Sequence, residues 1–343
     1  MNRLHVLLVS AALLGGCKVS FGSGADTKPP TGDGADAPAS KAPSADATTS
    51  DSGATRTNPE GGATRTNPAA AGGMRANPGT KPTTWAEGLA ALDPASDDAF
   101  TAVTGLFVEM HPVGKTRAST LSKDLYELIG FVLKIGGAQD DRVRADEALR
   151  AAACQSAGYD CGTPTDAAKA ELAALQARGI RYYYAGEGTM TVGVDHEGVA
   201  SAVDAVLDDP SRQHMKTMHA SMLFSSAYDE GGYNGPPKLA VDALLQWEAL
   251  QANAGPYAAI ASKGTADARD AYLRLCDHGE YDKPSCQASK ELQASYNGFA
   301  KAHPDSPSAP VVKAFVSTMR RRRWKATRAQ LDAAVTSALE QLK

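Results

Sequence analysis

The chain has 343 residues, 43% hydrophobic and 22% charged, with a formal net charge of −4. That balance leaves no basic excess for a nucleic-acid backbone, while the apolar content suffices for a folded core. The average conceals a sharp change of composition near residue 85.

The first element is an apolar run. Arg3 places a positive charge near the start, and Leu4 to Leu14 is apolar apart from His5 and Ser10. About 11 residues of helix reach roughly 16 Å, too short for a ~30 Å hydrocarbon core. The run therefore reads as a leader and not as a span. It closes on Leu14-Gly15-Gly16-Cys17, and these residues resemble the lipobox of bacterial lipoproteins. The resemblance covers residues 1–17 only. It implies removal of residues 1–16, acylation of Cys17 and anchorage of the exported chain in a membrane. Two or more acyl chains hold a protein firmly where one binds marginally. Lys18 stands where an Asp favours inner-membrane retention in enterobacterial lipoproteins. The expected location in the cell envelope therefore leans to the outer membrane. A secreted protein with a free Cys17 thiol is the alternative.

Residues 17–84 form the second element. From Gly22 to Thr84 there is no Leu, Ile, Val, Phe, Tyr or Trp. Such a segment buries too little apolar surface to offset its ordering entropy, which predicts a disordered tether. Gly53-Ala-Thr-Arg-Thr-Asn-Pro59 recurs as Gly62-Ala-Thr-Arg-Thr-Asn-Pro68 and, degenerate, as Gly73-Met-Arg-Ala-Asn-Pro78. A repeat without apolar side chains stacks no core, so it reads as a duplicated spacer. At ~5–6 Å × √n, about 65 such residues give a span on the order of 45 Å.

Apolar periodicity begins at Trp85 and continues through residue 343, predicting an all-α body: a bundle or irregular array of about eleven helices. Leu121, Leu125, Leu128, Ile129, Val132 and Ile135 follow helical spacing, with Gly136-Gly137 as the expected stop and Asp140 as the next start, running toward Cys154. Further starts are expected at Ser96-Asp97-Asp98, Thr163-Pro164, Asp195, Asp209-Pro210 and Pro237, and helices at Tyr257–Leu275, Pro284–His303 and Ser308–Arg323. Thr327 is the expected N-cap of the last helix. Ile180–Ala185 and Thr189–Val194 flank Gly186-Glu187-Gly188 and predict one small β-hairpin lying on helices, a possible sub-boundary near 180–195. Gly186-Glu-Gly, Trp247-Glu248 and His303-Pro-Asp-Ser-Pro307 are similar to exported bacterial proteins of unknown function, a resemblance that implies no activity.

With Cys17 acylated, Cys154, Cys161, Cys276 and Cys286 remain, an even set suited to an oxidising compartment. Three connectivities are open. The local one, 154–161 and 276–286, closes short loops, and the others cross the body. A four-Cys zinc site is the rival, against which the usual Cys-x2–4-Cys spacing is absent.

Four groups of residues are candidate sites. Met215, Met218, His219 and Met222 fall on one helical face, a ligand set suited to copper, or equally a Met-rich core stripe. Arg320, Arg321, Arg322, Arg323, Lys325 and Arg328 concentrate cations at a helix end, a patch for an anionic lipid, wall or protein partner or a solvated terminus. Gly231–Pro237 reads as a connecting loop before a helix. Glu187, Asp195, Glu197 and Glu248 are acid/base candidates, Asp195 doubling as a helix cap and Glu248 lying among apolar neighbours. The sequence contains no His-Glu-x-x-His, Gly-x-Ser-x-Gly, Ser-x-x-Lys or P-loop, and no motif for a cofactor. The expected function is a non-enzymatic envelope binding or scaffolding lipoprotein. A hydrolase or copper-handling protein, with its site near the 180–197 hairpin or the Met215–Met222 helix, is the alternative.

Overall fold

The structure is a computed structural model describing residues 82–156, 162–184, 190–229, 232–277 and 286–342. Cys17 and the resemblance at residues 1–17, nearly all of the expected tether, Cys161 and Glu187 lie outside the described residues. Among the described residues the protein is all-α, with twelve α-helices and only short strands. No described helix is long and apolar enough to cross a membrane.

The first half of the body comprises α1 (Trp85–Ala90), α2 (Ala99–Met110), α3 (Ala118–Ala145), α4 (Glu147–Ser156), α5 (Asp166–Gln176), the antiparallel pair β1 (Ile180–Tyr184) and β2 (Met190–Val194), and α6 (His196–Val203). Local chemistry sets the starts. Thr84 and Glu87 form a reciprocal capping box on α1. Thr165, and not Thr163, caps α5 by accepting from the Ala168 amide at 3.1 Å, leaving Pro164 ahead of the helix.

Helix α3 departs from the expected stop. It runs through Gly136-Gly137 to Ala145, with Asp140 inside it. The next start belongs to Asp146, whose Oδ1 accepts from the Leu149 amide at 2.9 Å. Gly136 serves close approach: a Cβ there would stand 2.5 Å from Val192 and 3.5 Å from Ile180. The hairpin, registered Ile180↔Val194 to Tyr184↔Met190, lies directly on this helix. A glycine that admits a neighbouring strand looks, in sequence, like one that ends a helix.

The second half comprises α7 (Asp209–Ser225), β3 (Tyr228–Asp229), β4 (Gly232–Tyr233), α8 (Pro237–Ala252), α9 (Ala258–Leu273), β5 (Cys286–Gln287), α10 (Lys290–Ala302), α11 (Ala309–Arg321), β6 (Lys325–Ala326) and α12 (Arg328–Leu339). Asp208, one residue before the expected start, caps α7. Thr327 caps α12 in a capping box with Gln330. The expected loop at 231–237 carries β4, which pairs with β3 through Tyr228↔Tyr233 and Asp229↔Gly232. Helix α8 packs against α7 on one side and α9 on the other.

Two apolar clusters fill the body. The first joins α1–α6 and the hairpin, including Ile180, Tyr182, Met190 and Val194. The second joins α8–α12 around Trp247, Tyr272, Tyr296 and Phe315. Helix α7 serves both, placing Met215 in the first and Phe224 in the second. The hairpin lies inside the first cluster. Each fully buried large side chain contributes about 1.5–3 kcal/mol by leaving water.

Cys276 and Cys286 form a disulfide with Cα atoms 4.6 Å apart, which selects the local pairing for this pair. Cys154 is buried and disulfide-bonded. The bridge ties the end of α9 to β5, which pairs with β6 through Cys286↔Ala326. Replacing both Cys276 and Cys286 by Ser is expected to lower unfolding free energy by about 2–3 kcal/mol, the loop-closure value for so short a loop. A denaturant midpoint unchanged by the double substitution would contradict this.

Candidate functional site

A cleft of about 590 Å³ lies between α6, α7 and α8. Helix α7 supplies its base through Arg212, Met215, Lys216, His219, Ala220 and Leu223, one face at i, i+3, i+4, i+7, i+8 and i+11. One wall comes from Glu197, Ala200, Ser201 and Asp204, and the other from Leu239, Asp242 and Gln246. A second, shallower groove of about 460 Å³ lies between α8 and α10, lined by Val241, Ala294 and Phe299 among others.

His219 occupies one end of the cleft. Its Nε2 lies 3.6 Å from Glu197 Oε2 and its Nδ1 lies 3.8 Å from Asp195 Oδ1. Neither distance is a hydrogen bond, and Asp195 Oδ1 and His219 Nδ1 are without a hydrogen-bond partner among the described residues. Asp195 stands at the N-cap position of α6 but makes no capping bond, contrary to its simpler expected role. Its carboxylate turns instead toward His219. At the other end Arg212 donates to Asp204 Oδ1 at 2.7 Å, to the Asp204 carbonyl at 2.8 Å and to Asp209 at 3.2 Å.

Behind the cleft two histidines are buried. His196 begins α6, and burial, with His219 nearby, lowers its pKa to about 4. His214 stacks on Tyr257 with ring centroids 4.3 Å apart and meets Tyr126 edge-on at 5.2 Å. Burial, reinforced by His196, pushes its pKa down to about 3. Both of its ring nitrogens lack a hydrogen-bond partner among the described residues. Each imidazole is therefore held neutral, because the apolar surroundings penalise the charged form.

The chain matches no family model, no curated protein and no solved structure. Chemistry must be read from the side chains alone. The thioether set expected for copper is divided. Met215 is fully buried in the first cluster, Met218 is half-buried, and Met222 Cε lies against Gly193 beside the Tyr183 ring. No group of three or more His, Cys, Asp or Glu among the described residues is placed to hold a metal ion. Asp195 and Glu197, two of the four acid/base candidates, come together beside His219, which was expected only as a copper ligand.

Glu248 is not with them. It is buried on α8, accepting from Ser306 Oγ at 2.7 Å, the Ser308 amide at 3.1 Å and Ser308 Oγ. Arg269 lies 3.9 Å away and donates to Ser308 Oγ at 2.6 Å. This network fastens the turn before α11 to the interior and fills the carboxylate's acceptor sites.

The cationic residues divide into engaged and open sets. Arg320 donates to Asn297 Oδ1, Arg321 to Thr318 Oγ1, and Arg328 faces Asp277 at 3.4 Å. Arg322, Arg323 and Lys325 are exposed. Helix α11 ends on two consecutive left-handed residues, Arg323 (φ 55°) and Trp324 (φ 60°). Each L-residue there costs about 1–2 kcal/mol. Burial of Trp324, stacked on Tyr296 at 5.9 Å and 2°, offsets that strain, and its amide donates to the Met319 carbonyl at 2.9 Å. The reversal fixes the charges on a rigid turn.

Sequence reading missed the cleft's Ser201, Asp204, Arg212, Lys216, Asp242 and Gln246. The available signal was polar residues recurring at 197, 201, 204 and at 212, 216, 219, helical faces on two successive elements.

Proposed function

We propose that this is a cell-envelope lipoprotein, anchored through acylated Cys17, whose helical body is a non-enzymatic binding module. The observation carrying the reading is Leu14-Gly15-Gly16-Cys17 at the end of a short apolar run. The composition of residues 22–84 supports a tether that carries the body away from the bilayer. The body offers two surfaces for partners. One is the cleft between α6, α7 and α8. The other is the exposed turn of Arg322, Arg323 and Lys325, whose charge fits an anionic protein, wall polymer or lipid surface.

Mass spectrometry of the chain exported from a bacterial host tests the anchor. The expected product begins at Cys17 and carries diacylglycerol and an N-acyl chain. A mature terminus elsewhere, or an unmodified Cys17, overturns the reading. A Cys17→Ser chain is expected to move from the membrane to the soluble fraction.

A further inference from the structure

We infer that the cleft between α6, α7 and α8 binds a small organic carboxylate with an apolar body, and that Lys216 receives the carboxylate. The inference rests on the reading of the body as a binding module and names the ligand class of its cleft. Most charges lining the cleft are matched. His219 lies 3.6 Å from Glu197 and matches its charge only when protonated, Arg212 is held by Asp204 and Asp209, and Asp242 pairs with Lys238 one turn away on α8. Lys216 stands between the first two of these pairs, one helical turn from Arg212 and from His219. It has no acidic partner among the described residues, and it lines the cleft.

Neutral donors border it. Gln246 Oε1 accepts from Gln213 Nε2 at 2.8 Å, which leaves the Gln246 amide hydrogens for another acceptor. Ser201 lines the same cleft from α6. One ammonium with neutral donors fits a monoanion. A phosphate dianion would leave a charge unmatched, and a cationic ligand would meet Lys216 with like sign. The remaining lining of Met215, Ala220, Leu223 and Leu239 is apolar and suits a hydrocarbon body. The volume lies in the range of small-molecule sites.

Calorimetric titration of the full purified chain with octanoate, acetate, octanol and octylammonium tests this. Octanoate is expected to bind saturably at one site, and the other three roughly tenfold or more weakly. Lys216→Met keeps the aliphatic stem and removes the charge, and is expected to lose about tenfold in octanoate affinity. Lys216 is exposed, and an unchanged circular dichroism spectrum would show that the variant folds. Lys263→Met, whose partner Asp267 lies outside the cleft lining, is expected to bind as the parent does. Octanol binding as tightly as octanoate, affinity unchanged in Lys216→Met, or no saturable binding of octanoate would each overturn the assignment. Any of these alongside an acylated Cys17 would leave the anchored-module reading standing, because the two measurements are independent.

Discussion

Lowering the pH from 7 to 4.5 is expected to remove roughly 5 kcal/mol of stability through His196 and His214 alone. In the unfolded chain both titrate near the ordinary histidine value of about 6.5. In the fold burial holds them at about 4 and about 3. The unfolded state thus binds more protons wherever the pH lies below about 6.5, and stability must fall as pH falls through that window. The loss begins near pH 6.5, steepens to about 1.4 kcal/mol per pH unit for each histidine, and levels off only below the folded values. His111, lowered by burial against the attraction of Asp124, adds to the same trend. Carboxylates titrate over the lower part of this range, so a variant must isolate the histidine share. His214→Phe keeps a flat ring against Tyr257 and cannot take up a proton. Its unfolding free energy, measured by urea titration at several pH values, is expected to fall less between pH 6 and 5, by about 1.2 kcal/mol. A slope equal to that of the parent would refute the buried-histidine account.

Glu248→Ala is expected to destabilise the body by about 3–5 kcal/mol. The carboxylate is the common acceptor for Ser306 and Ser308, and its removal leaves Arg269 buried without its counter-charge and both serine hydroxyls without their acceptor. Breaking a buried charged pair from one side strands the other charge, which is why the effect exceeds that of a surface ion pair. Glu248→Gln retains one carbonyl acceptor and should lose less than the alanine variant. Because the network ties the turn before α11 to α8, amide exchange near residues 304–309 should accelerate in both. A midpoint shift worth less than about 1 kcal/mol in Glu248→Ala would show that the network is dispensable. A side chain so fully engaged serves the fold, and the acid/base role suggested by its apolar neighbours gives way to that.

The helical class, most helix starts and the hairpin were legible because their causes are local. Thr327 caps α12 through a hydroxyl three residues from its partner amide, and the hairpin shows as aromatic and β-branched residues on either side of a Gly-rich turn. Gly136 was misread because its reason is non-local: Val192 lies over it, and nothing within several residues in sequence says so. Asp195 was misread likewise, since its partner His219 arrives from another helix. The paired β5 and β6 are two residues each and have no periodicity to detect.

By itself the sequence determined where the helical body begins, at the onset of apolar periodicity near Trp85, because composition sets whether a segment can bury enough apolar surface to fold. It also determined the helical class of the body, because side-chain periodicity is a property of neighbours along the chain. Only the tertiary structure decided which charges meet. Glu248 was assigned to Arg269 and two serines, His219 to Glu197 and Asp195, and Lys216 was left unmatched in the cleft. Those pairings depend on how helices distant in sequence cross, and electrostatic energy falls off over a few ångströms of space, whatever the separation along the chain.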